Sequence, residues 1–225
     1  MSDDSFFREV DEELRSEKVQ NFWKAYGTYL IAGAVLFVAA VAGWRYYEFS
    51  TAQQAAQSGD AFIEAVRLAQ NSKRDEALAA LETIEGQSDN TYRVLARMRT
   101  AAELVEKGDH AAAVAAYDEV ISDGGADENL KAIARIRAGF ILVDTAGVSE
   151  VQGRVGALAA PDNPWRSSAR EALGLAYFKA GDMNNAFQQF EAVYDDVESP
   201  ATIKQRMRIM MDIIAAQGGP VKASS

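Results

Sequence analysis

The sequence predicts an all-α chain: a single N-terminal transmembrane helix followed by a solenoid of helical hairpins. Three observations carry this. Residues 25–44, AYGTYLIAGAVLFVAAVAGW, hold no charged side chain in a chain that is 25% charged. After residue 50 alanine dominates and apolar residues recur at helical spacing, with no sustained strand-like alternation. Segments 96–109, 134–147 and 169–182 can be superposed on one another, so the helical pattern repeats.

The span comes first. Twenty helical residues reach about 30 Å, the thickness of a bilayer's hydrocarbon core. Tyr26 and Tyr29 mark one end, and Trp44, Tyr46 and Tyr47 the other. Such amphipathic rings favour the headgroup level. Four basic residues precede the span (Arg8, Arg15, Lys18, Lys24), whereas Arg45 stands alone after it until Arg67. That asymmetry predicts a cytoplasmic N-terminus and an external body, because acids count little in this rule. The Ala40-Val41-Ala42 pattern suits a signal-peptide cleavage site. A tail of residues 1–24 rich in acids does not suit the short basic start of a signal peptide, so an uncleaved anchor is expected. The expected organisation is therefore a cytoplasmic tail at 1–24, the span at 25–44, a repeat body at 45–217 and a disordered tail at 218–225.

The body is long enough to bury a core without staples. The chain has 33 acidic against 23 basic side chains, a net charge of −10, and no cysteine. Net negative charge disfavours nucleic acid or anionic lipid as the main partner. The lack of cysteine removes disulfides, thiol nucleophiles and thiolate metal sites together.

The repeat is defined by small residues. Ala101, Gly139 and Gly174 occupy equivalent places in the three superposed segments, and Ala65 marks a fainter fourth copy. The steps are about 35 residues, the signature of a helix–turn–helix solenoid. A small side chain lets two helices approach closely. Gly108-Asp109 and Gly181-Asp182 supply turn and cap. The returning helix brings Ala77 and Leu81, Ala113 and Tyr117, or Ala186 and Phe190. All four prolines fall where helices begin or stop. In the copy at 130–160, Ala146-Gly147 is expected to shift the turn, and Gly156 puts the second helix in doubt. Residues 201–217 carry Ile203, Met207, Met210 and Ile214 on one stripe and read as a cap.

These residues resemble the tetratricopeptide repeat. The last copy fits best, with Leu173, Gly174, Tyr177, Gly181, Ala186, Phe190 and then Pro200. With the span followed at once by Gly43-Trp44-Arg45-Tyr46-Tyr47, and with Asp127-Glu128-Asn129-Leu130-Lys131-Ala132, the chain resembles the bacterial ancillary SecYEG translocon subunit family. The resemblance implies a periplasmic, inner-membrane-anchored chaperone. Its implied partners are the SecYEG translocon, a membrane-anchored prolyl isomerase and unfolded client proteins.

No catalytic or cofactor constellation is found. His110, the one histidine, sits in a repeat turn where a solvated polar residue is usual. Glu12-Glu13 and Asp195-Asp196 read as solvated neighbours, not as carboxylates converging on a cleft. Gly153-Arg154-Val155-Gly156 lacks the end of a phosphate loop. Ala39 and Gly43 form a small-xxx-small pair open to a partner helix. Arg97/Arg99 and Arg135/Arg137 read as helix-surface ion pairs with acids such as Glu103 and Glu128. No enzyme activity and no cofactor are expected.

The tetratricopeptide resemblance also implies which side chains face the concave groove: Phe62, Val66 and Ala69; Met98, Ala102 and Val105; Ile136, Phe140 and Val143; Glu171, Leu175 and Phe178. This face is nearly all apolar. It is either buried by curling of a short array or a groove for apolar peptide segments or a partner's helix. The leading functional expectation is a non-enzymatic, membrane-anchored interaction protein offering that groove to emerging chains. The alternative is an envelope scaffold linking stable partners in division or wall assembly, without client binding.

Overall fold

The computed structural model describes the backbone of residues 3–87 and 90–222 and the side chains of 23–86 and 91–222. Its described residues form nine α-helices and one 3-10 turn, with no strand. The chain divides into two compact units, residues 1–54 and 55–225. Helix α1 (Asp3–Gln70) supplies the whole of the described first unit and the opening helix of the second.

In the first unit, α1 is long and apolar enough to cross a bilayer. Its described apolar side chains are largely bare: Leu36 and Phe37 are each 71% exposed. An apolar helix surface this bare suits the hydrocarbon core of a bilayer. The side chains of Arg8, Arg15, Lys18 and the Glu12-Glu13 pair lie outside the described residues.

The second unit is built from hairpins. Residues 55–70 of α1 pair with α2 (Arg74–Gln87), α3 (Asn90–Lys107) with α4 (His110–Ser122), α5 (Glu128–Thr145) with α6 (Val148–Val155), and α7 (Arg166–Lys179) with α8 (Met183–Asp195). Helix α9 (Ala201–Ala216) closes the array, with Met207, Met211 and Ile214 buried against Phe187 and Phe190. Met211, which the stripe of the sequence did not include, is part of this contact.

One packing rule runs through all four hairpins. Ala65, Ala101, Gly139 and Gly174 are buried, and the residues twelve and sixteen positions on are buried with them. These pairs are Ala77/Leu81, Ala113/Tyr117, Val151/Val155 and Ala186/Phe190, none more than 2% exposed. The glycines are required by distance. A Cβ at Gly174 would lie 2.6 Å from Phe190 Cδ1, and one at Gly139 would lie 2.6 Å from Val155 Cγ1. Both are far inside van der Waals contact.

The third hairpin departs from its expectation in an instructive way. Ala146-Gly147 does not shift the turn, because Gly147 caps α6 at the same count from Gly139 as Asp109 and Asp182 from Ala101 and Gly174. What changes is conformation. Gly108 and Gly181 adopt φ of +84° and +80°, and Ser72 takes the same place at +63°. At these three turns the next residue's N–H (Lys73, Asp109, Asp182) reaches back to Leu68, Leu104 or Tyr177 at 2.9–3.0 Å, satisfying a terminal carbonyl. Ala146 is instead extended, and the Gly147 N–H donates to Glu150 Oε2 at 3.0 Å. The second helix exists but is short, ending at Val155 before the 3-10 turn Gly156–Ala159.

Candidate functional site: an apolar cavity between hairpins

Local chemistry fixes the first helix of each hairpin, where the candidate groove residues lie. Asp127 caps α5 by accepting from the Asn129 N–H at 2.8 Å. Arg93 and Arg97, early in α3, reach Asp123 at the end of α4, at 3.1 and 3.0 Å. Arg166, opening α7, reaches Asp196 at the end of α8 at 2.6 Å and Glu198 at 2.5 Å. In both hairpins the aspartate ties the start of the first helix to the end of the second. Asp123 is held below the usual carboxylate range, chiefly by the Gly125 N–H and then by the two guanidinium groups. Asp196 is held down chiefly by Arg166 and then by the Glu198 N–H. Asp196 is therefore not the solvated neighbour of Asp195 that the sequence suggested; it is half-buried and paired.

The arginine pairs also divide. Arg99 meets Glu103 within α3 at 2.6 Å, as helix-surface pairing predicts. Arg97 bridges helices instead, reaching Glu85, Glu119 and Asp123. Glu128 pairs with Lys131. Arg135 and Arg137 have no ion-pair partner among the described residues, contrary to the expected pairing. Glu85 moves in the opposite sense from the aspartates: burial pushes its carboxyl up, partly offset by the Thr100 hydroxyl.

The side chains expected on the inner face are distributed as follows. Phe62, Val66, Met98, Ala102, Val105, Phe140, Val143, Leu175 and Phe178 are half-buried. Phe62 packs on the cluster of Ala65, Leu81, Ile84 and Ala96, and its ring lies 6.5 Å from that of Tyr92. Met98 rests on the α3–α5 core, Phe140 and Val143 on the α5–α7 core, and Leu175 and Phe178 on the last core. Ala69 and Ile136 are buried at 8% and 7% exposure. Glu171, the one charged member, is buried and takes a two-pronged bond from Arg206 of α9, at 2.7 and 2.8 Å.

Three of these residues share one cavity. Ala102, Val105 and Phe140 line a recess of about 260 Å³, together with Tyr117 and Ile141 and, at its polar positions, Glu106 and Arg137. The walls come from α3, α4 and α5. Sequence reasoning assigned Tyr117 to the layer between hairpins and Arg137 to an ion pair, so neither was placed here. The missed signal lies in the register: Arg137 precedes Phe140 by three residues, one helical turn.

The fold defines a class: a helical-hairpin solenoid that follows an N-terminal apolar helix in the chain. A family model described as a tetratricopeptide repeat-like domain matches residues 20–216, and the chain belongs to that family. It is 27% identical over 200 residues to the ancillary SecYEG translocon subunit of Escherichia coli (strain K12), covering 88% of this chain and 95% of the relative. A second ancillary SecYEG translocon subunit, from Haemophilus influenzae, is 26% identical over 128 residues, covering 57% of this chain and 62% of the relative. No solved structure gives a significant match.

Proposed function

We propose that this protein is a non-enzymatic, single-pass membrane protein that associates with the SecYEG translocon and offers its inner face to emerging or unfolded chains. The observation that carries the reading is the half-open apolar cavity between α3 and α5, on a body whose chain begins with a bare apolar helix. The relatives' names support the translocon as the partner. The excess of Lys and Arg before the span supports a cytoplasmic N-terminus and a periplasmic body. Tethering raises local concentration at the exit, so weak and rapidly reversible contacts suffice. A membrane-anchored prolyl isomerase is the expected neighbour. A scaffold for stable partners is the second reading, favoured by Ile209 and Ile213, which are exposed one turn apart on α9.

The test uses the full chain in lipid nanodiscs. It should delay aggregation of a denatured, unrelated protein, and photocrosslinkers at Val105 and Phe178 in intact membranes should capture translocating chains. Crosslinks from α9 alone, with no delay of aggregation, would leave the scaffold reading ahead.

A further inference from the structure

The cavity between α3, α4 and α5 carries a chemical preference that apolarity alone does not supply. Its walls are Ala102, Val105, Phe140 and Ile141, with Tyr117 alongside. Tyr117 is only 2% exposed, but its hydroxyl oxygen keeps contact with solvent and bonds no described residue. Lining a recess with that bond unmade leaves it open to a donor or acceptor on an occupant. Arg137 is the second unfilled group: an exposed guanidinium at the same recess with no ion pair among the described residues. Arg135 also has no ion pair among the described residues but does not line the recess, whereas Arg93, Arg97, Arg99, Arg154, Arg166 and Arg206 are all paired with acids. Glu106, the other charged side chain here, already has Arg74 at 3.5 Å. The uncompensated charge at the recess is therefore positive, on a protein whose net charge is −10.

We propose that this cavity is a side-chain pocket selecting extended polypeptide segments that carry one bulky apolar residue beside an acidic one. The apolar side chain, best an aromatic ring, fills the space between Val105 and Phe140. The neighbouring carboxylate accepts hydrogen bonds from the Arg137 guanidinium, whose planar fork suits a carboxylate. The Tyr117 hydroxyl bonds a backbone group of the segment at the pocket. An anchor in a desolvated pocket carries most of the binding, and the rim charge sets the preference. The inference rests on the proposed client groove and names the class of segment that groove prefers.

The experiment uses the full chain in nanodiscs and four fluorescent peptides of one extended sequence: Phe beside Asp, Phe beside Asn, Phe beside Lys, and Ala beside Asp. Anisotropy titration should rank Phe-Asp tightest. Phe-Asn should bind roughly threefold to fivefold weaker, as a rim-exposed ion pair allows. Ala-Asp should bind roughly thirtyfold weaker, as loss of a central anchor allows. Arg137→Glu, at an exposed site that leaves the fold in place, should invert the order so that Phe-Lys binds best. Tyr117→Phe should weaken every Phe peptide alike while keeping the melting temperature. Phe peptides binding equally whatever their neighbour, with Arg137→Glu silent, would overturn the inference. So would an aggregation-delaying protein that binds none of the peptides, an outcome that leaves the client groove standing. Loss of both peptide binding and aggregation delay would overturn the groove as well.

Discussion

The third and fourth hairpins obey one packing register through different chemistry. In the fourth, Gly174 admits the fully buried ring of Phe190, Gly181 turns the chain at φ +80°, and Asp182 caps a 13-residue helix by accepting from the Asn185 N–H. In the third, Gly139 admits Val155, Ala146 turns the chain in an extended conformation, and Glu150 reaches back to the Gly147 N–H ahead of an 8-residue helix. The close contact between a small residue and the side chain sixteen positions on is thus the invariant. Turn conformation and helix length vary around it. The shorter α6 is compensated by its continuation as a 3-10 turn, which brings Leu158 into the same core as Val151 and Val155.

This contrast can be broken most sharply at the glycines. Gly174→Leu should cost about 3 kcal/mol, at the upper end of overpacking, because Phe190 is fully buried and cannot leave. Gly139→Ala should cost less than Gly174→Ala, since its Cβ meets one methyl of Val155 closely, whereas that at position 174 meets three ring atoms of Phe190. Denaturant melts of the four proteins give the order directly.

A next, smaller effect concerns the aspartate ties, which the second and fourth hairpins have and the third lacks among the described residues. Asp196→Asn should cost about 1–2 kcal/mol by weakening a charge-assisted bond to Arg166. The pH dependence follows from the direction of the shifts. Asp123, Asp182 and Asp196 have folded pKa values below their ordinary 3.8. Their stabilisation is present above that value and is lost as pH falls below it through the folded pKa. Glu85, raised above its ordinary 4.5, acts oppositely: it favours the fold most at low pH and loses that contribution as pH rises through its folded pKa. The penalty of Asp196→Asn should therefore shrink between pH 5 and pH 2, read as a narrowing gap between the two melting temperatures.

The smallest effect tests the turns. Ser72→Gly should stabilise by about 0.4–1 kcal/mol, because a left-handed residue with a side chain is strained. Ala146→Gly should be destabilising by a similar amount, since Ala146 needs no such freedom.

The same contrast explains what the sequence made legible. The helix class, the four hairpins, the cap and the anchor helix all followed from charge, period and small residues. The register of the third hairpin did not, because Val151 and Val155 hide the small-then-large pattern that Ala186 and Phe190 display. The ties Arg93–Asp123 and Arg166–Asp196 join residues thirty apart, a distance that surface patterning along one helix does not cover. The recess itself was not legible: the sequence offered a stripe of apolar residues on the first helices, of which Ala102, Val105 and Phe140 line it. Closure of the recess depends on Tyr117 from the second helix and Ile141 from the next hairpin, and only packing brings these together.

The central claim is that clients meet the inner face through the recess between α3 and α5. Its most direct test places a charge on the half-buried wall, Val105→Asp, and another far from it at Val197, which is 90% exposed. Both full-length variants are compared in nanodiscs for their delay of client aggregation, with melting temperatures measured in parallel. The account predicts that folded Val105→Asp loses most of the delay while Val197→Asp keeps it. A folded Val105→Asp protein with undiminished activity would contradict it.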